Sequence, residues 1–391
     1  MFRCVTEINF EQVTNGRSKK LFFNYVHEFN ATDTWVDLTN QAEITLPKNL
    51  YVKDETGKLF PLSGTNKNIG GFDASQPLFL RGDKVEIRFG YYYFKGSVEV
   101  KEIATVFTGY ISEVSSKKPF VLKCDDNMWL LKQLPATPQV WKGSVEDLFE
   151  KLLKGTGITV NRLTSTTIGQ IVVGNETVCQ LIERLRKEAH IECSFRGNVL
   201  RIGGKVYMDS EAVDHTFVFQ QNIISDDLMY KRRDDVILSA VVISNFDYAD
   251  GKTKDGQSKV KKKRLEILVY WDRTKKNPDG STGQWAYTKK DNNKPNPENV
   301  EGERRTLHFL NITSEKELFE KGVEELQKYY YTGFKGKFET FGIPFVKQGD
   351  NVFIKDPVLP ERNGKYKVKG VEYTGGVNGH RQSIILDYKI A

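Results

Sequence analysis

Gly82-Asp83-Lys84-Val85-Glu86-Ile87 and Gly349-Asp350-Asn351-Val352-Phe353-Ile354 are two forms of one phrase, placed near opposite ends of a 391-residue chain. In each, a Gly-Asp pair favours a tight turn, and the alternating polar and apolar residues that follow favour a strand. A second extended stretch with an internal glycine follows each phrase, as in barrel strands that start at a turn and then bend. The repetition predicts two related small β-barrels in one chain.

Length and composition bound the fold class. A chain of 391 residues exceeds what one hydrophobic core usually serves, so about two to four domains are expected. The 24 Phe and 17 Tyr residues favour strands. We predict a β-rich α+β multidomain protein in which an α/β insert module lies between the two similar small β-barrels.

The first domain boundary follows from a change in hydrophobic period. Short alternating stretches predict an N-terminal β-barrel over residues 1–134, with a polar loop at 63–77. Pro135 and Pro138 break this pattern, and the period becomes helical. An α/β module is therefore predicted for residues 135–206.

Local signals predict the elements of this module. Ser144 followed by Asp147 resembles a capping box at the start of a helix. Apolar residues at helical spacing predict a second helix from Thr177 to Ala189. Arg196-Gly197-Asn198, between two short apolar runs, predicts a β-hairpin.

Residues 207–391 return to strand patterns and predict a second β-barrel. Two long polar loops, 249–263 and 272–304, and a helix, 314–331, are expected to interrupt it. Ser314 with Glu317 predicts a capping box for that helix. Loops of this length form binding surfaces or become ordered on assembly.

Charge and targeting signals exclude several classes of protein. The net charge of +7 does not by itself indicate a nucleic-acid partner, and the basic run Lys259 to Arg264 is expected to be a solvated loop. The N-terminus lacks the apolar core of a secretory signal, and no apolar run approaches the ~20 residues of a membrane span. We expect synthesis in the cytoplasm and reduced cysteines.

No enzyme activity is predicted, and no catalytic residue, cofactor-binding residue or metal site is assigned. His190-Ile191-Glu192 matches part of the zinc deaminase signature, but the Pro-Cys-x-x-Cys that completes it is absent. The remaining histidines have no ligand-spaced carboxylate or cysteine beside them: His27, His215, His308 and His380.

Two further motifs are interpreted as turns. Arg81-Gly82-Asp83 spells an integrin-binding tripeptide, but Gly-Asp recurs at Gly349 without the arginine, so a turn explains both. The acidic pair Asp125-Asp126 lacks the ligand register of a calcium loop, as does a second acidic set. Solvated turns are expected at both acidic places; the second set consists of Asp247, Asp250 and Asp255.

The chain resembles the baseplate hub proteins of tailed phages in three successive parts. This family includes late control D-type proteins and the hub part of type VI secretion spikes. The stretches that resemble its N-terminal barrel are Arg81 to Ile87, Phe107 to Ser112 and Leu122 to Lys132. Asn175 to Glu188 and Phe195 to Leu200 resemble its α/β insert. The stretches that resemble its closing barrel are Gly349 to Asp356, Pro360 to Gly364, Tyr366 to Gly370 and His380 to Ile384.

The resemblance implies a mechanical function in the baseplate of a virion tail. Such hubs are homotrimers in which two barrels per chain give six barrels around a central channel. The implied partners are the tail tube protein ring, a spike or tip protein and the tape-measure protein. DNA is implied only as cargo passing through the channel, with no cofactor and no stable membrane insertion. Doubling one fold within each of three chains presents pseudo-sixfold symmetry.

Two alternatives remain open at this point. Small barrels with aromatic strands and a basic loop also bind single-stranded nucleic acid. The candidate stacking platforms are Tyr91-Tyr92-Tyr93-Phe94 and Tyr329-Tyr330-Tyr331. A peripheral tail ring or a carbohydrate-binding module has the same β-rich, multidomain composition.

Overall fold

The computed structural model describes most of the chain. The described residues are 2–47, 51–53, 59–61, 77–115, 119–161, 166–189, 191–203, 212–232, 238–252, 258–276, 282–289, 303–310 and 312–390. Strands dominate them, which confirms the prediction of a β-rich α+β protein. Within these ranges, none of the helices has the length and apolar character needed to cross a membrane.

The N-terminal part is built from strands, as predicted. They are β1 (Phe2–Glu11), β2 (Lys20–Phe23), β3 (Glu28–Thr34), β4 (Gln41–Thr45), β5 (Tyr51–Lys53), β6 (Leu59–Pro61), β7 (Lys84–Lys95), β8 (Val98–Val114) and β9 (Val121–Asp125). Alternation decides which face is buried: in β4, Ala42 and Ile44 are buried while Gln41 and Glu43 are exposed. Most of the predicted 63–77 loop lies outside the described residues.

Helices and short strands follow, with a hydrophobic core of their own. These elements are α1 (Met128–Gln133), β10 (Gln139–Ser144), α2 (Val145–Leu152), β11 (Thr159–Asn161), β12 (Thr167–Val173), α3 (Val178–Ala189), β13 (Glu192–Arg196) and β14 (Val199–Gly203). The predicted cap is confirmed, because the Asp147 N–H donates to Ser144 Oγ at 3.1 Å. The predicted hairpin is also confirmed, since Arg196 and Val199 pair at its turn.

The C-terminal part contains ten strands and one helix in the described ranges. They are β15 (Asp214–Val218), β16 (Ile223–Lys231), β17 (Leu238–Lys252), β18 (Ser258–Lys276), β19 (Thr282–Lys289), β20 (Glu303–Leu310), α4 (Glu315–Gln327), β21 (Gly333–Thr340), β22 (Asn351–Lys355), β23 (Gly364–Gly376) and β24 (Arg381–Lys389). Strands β17 to β20 form a separate four-stranded sheet, against which α4 packs.

The prediction of two long polar loops is wrong for the described parts of both segments. Residues 249–252 and 258–263 belong to the antiparallel β17–β18 pair, which continues to Lys252 and Ser258 with a register shift after Ala249. Residues 272–276 and 282–289 are strand as well, and residues 290–302 lie outside the described ranges. Backbone pairing between two long strands decides the conformation of these residues. A polar composition therefore does not identify a loop here.

The predicted helix 314–331 is shorter at both ends. The Ser314 side chain makes no capping hydrogen bond, and only its backbone carbonyl accepts, from the Leu318 N–H at 3.0 Å. Glu315 and Glu317 place negative charge in the first turn, which stabilises a helix start without that cap. The chain turns away after Gln327.

One sheet joins the two ends of the chain. Its hydrogen-bonded path runs β16-β21-β24-β23-β3-β4-β9-β8-β7-β1-β2, with β22 pairing β23 and β15 pairing β22. The contact between the N-terminal and C-terminal strands is the antiparallel pair β3–β23. One continuous hydrophobic core lies under strands of both parts, so they are packed together and not merely linked.

Candidate assembly surface

The Gly82–Asp83 turn is held by its backbone and by a buried carboxylate. Gly82, at a φ of 95°, donates to the Ile111 carbonyl at 2.8 Å, and the Ile111 N–H donates to the Asp83 carbonyl at 2.8 Å. The Asp83 carboxylate accepts from the Leu80 N–H at 2.9 Å. Arg17 Nη2 donates to both carboxylate oxygens, at 2.7 and 2.5 Å, and both side chains are buried.

The Gly349–Asp350 turn repeats these bonds. Gly349, at a φ of 80°, donates to the Val368 carbonyl at 2.9 Å, and the Val368 N–H donates to the Asp350 carbonyl at 2.9 Å. The Asp350 carboxylate accepts from the N–H of Lys347, three residues earlier, at 2.9 Å. His215 Nε2 lies 3.2 Å from Asp350 Oδ2. The prediction that both phrases form turns opening a strand is confirmed.

The strands around the two turns have the same order. We call β3-β4-β9-β8-β7 unit 1 and β16-β21-β24-β23-β22 unit 2; neighbours are antiparallel throughout both. Each unit also has a β-bulge at the same place. The register shifts between Ile111 and Glu113 in unit 1, and between Val368 and Gly370 in unit 2. Unit 2 has a further shift between Tyr366 and Val368. The bulge after Val368 is the counterpart of the one after Ile111, because Ile111 and Val368 make the same backbone bonds to the Gly-Asp turns. The units therefore share their strand order and one bulge.

The two units meet edge to edge. Residues 28–34 of β3 pair with residues 370–376 of β23. Beside this pair, the backbone N–H and the side-chain amide of Gln348 donate to the Asp33 carboxylate at 3.1 and 2.8 Å. Burial raises the pKa of Asp33, while the Gln348 hydrogen bonds oppose that shift. A polar clamp thus lies at the junction of the units.

An aromatic cluster continues the junction below the sheet. The Phe89 ring lies 4.9 Å from His380, 5.9 Å from Tyr373, 6.0 Å from Phe345 and 6.1 Å from Phe29, measured between ring centroids. These rings come from both units and their connections, so the cluster fixes their relative position. Sequence periodicity gives no signal for such a junction, because its members are up to 351 residues apart in number, from Phe29 to His380.

The acidic pair Asp125-Asp126 is buried, so the expectation of a solvated turn is wrong. Asp126 accepts from the backbone N–H groups of Asn40 and Met128 at 3.0 and 2.9 Å. Lys132 Nζ lies 2.8 Å from Asp125 Oδ2. The connection between β3 and β4, which contains Asn40, covers the turn. The resulting burial raises the pKa of Asp126 to about 7. The pair joins unit 1 to the helices that follow.

His380 gives the junction a pH dependence. Burial lowers its pKa to about 4, below the usual 6.5, and His380 Nε2 shares a hydrogen bond with Thr6 Oγ1 at 3.0 Å. Between pH 6.5 and about 4 the unfolded chain binds this proton and the folded chain does not, so stability falls as pH falls. From pH 7 to 5, the wild type should lose about 2 kcal/mol of unfolding free energy relative to His380→Gln. Urea unfolding at both pH values measures this.

Asp126→Asn is the control of opposite sign. The folded-state pKa of Asp126 is raised, so its contribution is present at low pH and is lost as pH rises toward 7. The wild type should therefore gain stability relative to Asp126→Asn over the same change from pH 7 to 5.

Equal pH dependence of the wild type and His380→Gln would contradict the assignment of a neutral buried imidazole.

The other candidate residues do not converge on a reactive site. Within the described ranges, no group of three His, Cys, Asp or Glu side chains is placed to hold a metal ion. His190 and Asp255 lie outside the described residues, and the side chains of Asp247 and Asp250 are not described. Cys4 is exposed, the other three cysteines are buried, and all four are free.

The aromatic runs are largely used in packing. Tyr91 is buried, and the Gly342 N–H donates to its hydroxyl at 3.0 Å. Tyr331 is buried as well, with Lys231 Nζ 4.0 Å from its ring centroid. The Tyr330 ring lies 5.4 Å from that of Trp271. Tyr91, Tyr330 and Tyr331 are therefore used in packing, whereas Phe94 at the end of the first run is 55% exposed.

The sheet path has two open ends in the described part of the chain. At one end, β2 pairs only with β1, and Phe22 on it is 60% exposed. At the other end, β16 pairs only with β21, and Met229 on it is 66% exposed. Open strand edges with exposed apolar side chains are sites for pairing with another chain.

Comparisons with known proteins support the fold resemblance. No protein-family model and no curated protein sequence matches the chain. Among solved structures, a tail protein from Neisseria meningitidis MC58 is 13% identical with a TM-score of 0.53, over 99% of this chain and 96% of that one. The 43 kDa tail protein of prophage MuSo2 from Shewanella oneidensis is 12% identical with a TM-score of 0.52, over 98% of both chains. At these identities the likeness concerns the fold.

Proposed function

We propose that this chain is a structural hub protein in the baseplate of a phage or phage-like tail. In this proposal units 1 and 2 are two related barrels, and three chains form a pseudo-sixfold ring around a conduit. The ring joins the tail tube to a central spike or tip protein. No catalytic step or cofactor belongs to this function.

The observation that carries the proposal is the matched pair of units. Two modules with one strand order, one turn and one bulge lie side by side in a single chain. Three such chains supply six similar modules, which is what a threefold component needs to meet a sixfold one. The full-length fold likeness to two tail proteins supports the same assignment.

In this proposal the β17–β20 sheet with α4 lies outside the ring-forming modules. It has its own hydrophobic core, centred on residues such as Val242, Val269 and Leu318. The β17–β18 pair extends beyond its sheet, since β20 pairs β17 only as far as Asn245. The basic run Lys259 to Arg264 lies on that extension, where it can meet an acidic neighbour.

The mass of the purified chain in solution tests the proposal. Light scattering is expected to give three times 44.8 kDa, and negative-stain images of the same peak should show a ring with a central hole. A compact dimer without a hole would contradict the pseudo-sixfold arrangement. Tight, salt-dependent binding of single-stranded nucleic acid would instead favour the nucleic-acid alternative.

A further inference from the structure

The junction inside one chain specifies a contact between chains. If the six modules of the proposed ring are equivalent, the three junctions between chains repeat the three junctions within them. The internal junction is a strand pairing with known register, β3 with β23. The corresponding strands can therefore be identified residue by residue, an inference that rests on the proposed ring.

The bulges fix the correspondence for the first strand. In unit 1, Glu113 is the first paired residue after the bulge and lies opposite Lys123; in unit 2, Gly370 has this position, opposite Ile385. Hence β8 corresponds to β23. Residues 113–114 at its end and Ser115, which follows the strand and donates its N–H to the Val121 carbonyl at 2.9 Å, correspond to 370–372. The segment 370–372 pairs with β3 inside the chain.

The same register fixes the second strand. In unit 1, Lys123 pairs with Glu43, which pairs with Asn30 of β3. In unit 2, Ile385 takes the place of Lys123; it pairs with Lys337, which pairs with Asp227 of β16. Asn30 therefore corresponds to Asp227, and residues 32–34 correspond to 229–231.

We propose that β16 of one chain pairs in antiparallel register with the end of β8 in a second copy of the chain. Gly370 pairs with Thr34 within the chain, so Glu113 of one copy pairs with Lys231 of the next. Glu372 pairs with Thr32 within the chain. Since Ser115 corresponds to Glu372 and Met229 to Thr32, Ser115 of one copy pairs with Met229 of the next. Glu113 and Lys231 carry opposite charges, but Glu113 Oε2 already lies 3.0 Å from Lys123 Nζ, and Lys231 Nζ already donates to the Tyr329 carbonyl at 3.0 Å. The backbone register, and not an ion pair, therefore carries the proposed contact.

Both strands present a suitable edge. In the described residues, β16 has one strand neighbour, β21. Beyond Ile111, β8 has passed the start of β7, whose first pair is Lys84 with Tyr110, and it keeps only β9. Met229 is 66% exposed and the Glu113 side chain is 60% exposed. The contact is head to tail, the type of contact that gives a closed ring when its rotation closes, as the proposed trimer requires.

A disulfide at the predicted pair tests this contact. Opposite residues in antiparallel strands have Cα atoms about 4.5–5.5 Å apart, within the range of a disulfide. Ser115→Cys and Met229→Cys are combined in a Cys4→Ser background, because Cys4 is exposed. After mild oxidation, a non-reducing gel is expected to show covalent dimer and trimer and nothing larger.

Single variants provide the matched controls. Ser115→Cys alone and Met229→Cys alone should give no covalent oligomer. When the two single variants are mixed and allowed to exchange subunits, cross-linking should give a covalent dimer and no trimer. A covalent dimer from one single variant would show a symmetric contact and would overturn the proposal.

The outcomes separate this contact from the ring itself. A trimeric ring by light scattering without cross-linking overturns the strand assignment and leaves the proposed function in place. A covalent ladder that continues past the trimer supports the strand pairing and overturns the closed trimer. A chain that stays monomeric and uncross-linked at every concentration reached overturns both.

Discussion

Asp83→Ala is expected to lower the free energy of unfolding by about 3–5 kcal/mol, because it leaves the guanidinium of Arg17 buried without its counter-charge. The two side chains are 1% and 8% exposed, and Arg17 Nη2 contacts both carboxylate oxygens. The Leu80 N–H loses its acceptor as well. Urea unfolding followed by tryptophan fluorescence measures the loss.

An exposed ion pair gives the matched control for Asp83→Ala. Glu183 lies 2.8 Å from Lys187 on α3, and both side chains are more than half exposed. Glu183→Ala should therefore change stability by no more than about 0.5 kcal/mol. If Asp83→Ala costs as little as Glu183→Ala, the Gly82–Asp83 turn is held by its backbone bonds alone.

Phe89→Ala is expected to cost about 3–5 kcal/mol and to loosen the contact between the units, since it opens a cavity where their aromatic rings meet. Phe89 is fully buried, with four aromatic rings within 6.1 Å of its centroid. The readouts are the free energy of unfolding and the fraction of chains that form the proposed trimer in light scattering. Both should fall, because a ring of paired modules requires a fixed angle between them.

Phe94→Ala is the control for that substitution. Phe94 lies at the far end of β7 and is 55% exposed, so the same truncation removes little buried area. Stability and trimer fraction should stay within error of the wild type. A loss of trimer with Phe94→Ala, but not with Phe89→Ala, would place the subunit contact at the β7–β8 hairpin.

Short-range signals in the sequence predicted much of the local structure. The Gly82 and Gly349 turns, the Ser144 cap and the alternation of β4 depend on neighbours a few residues away, and they are confirmed. The Arg17 partner of Asp83 was not predictable, because 66 residues separate the two and no period connects them. The polar side chains of residues 249–263 also led to the wrong prediction of a loop, because backbone pairing between β17 and β18 decides the conformation there.

The sequence predicts the two modules of the candidate assembly surface but not the contact between them. The repeated phrase indicates that two modules exist, but which edges meet depends on pairing between strands far apart in the chain. Glu28 and Gly376 are partners across β3 and β23, and neither carries a mark of that contact. The register of the bulges, which matches β8 to β23 and β3 to β16, is visible only in three dimensions.

The two units differ most in what separates their first two strands. Residues 35–40 join β3 to β4, whereas residues 232–332 separate β16 from β21. Lys231 and Gly333 are still paired, so the long insertion leaves and re-enters the sheet at adjacent points. Loop closure costs only slightly more as a connection lengthens. The connection between β16 and β21 is therefore a place where a different inserted domain can be accommodated while the strand order of unit 2 stays unchanged.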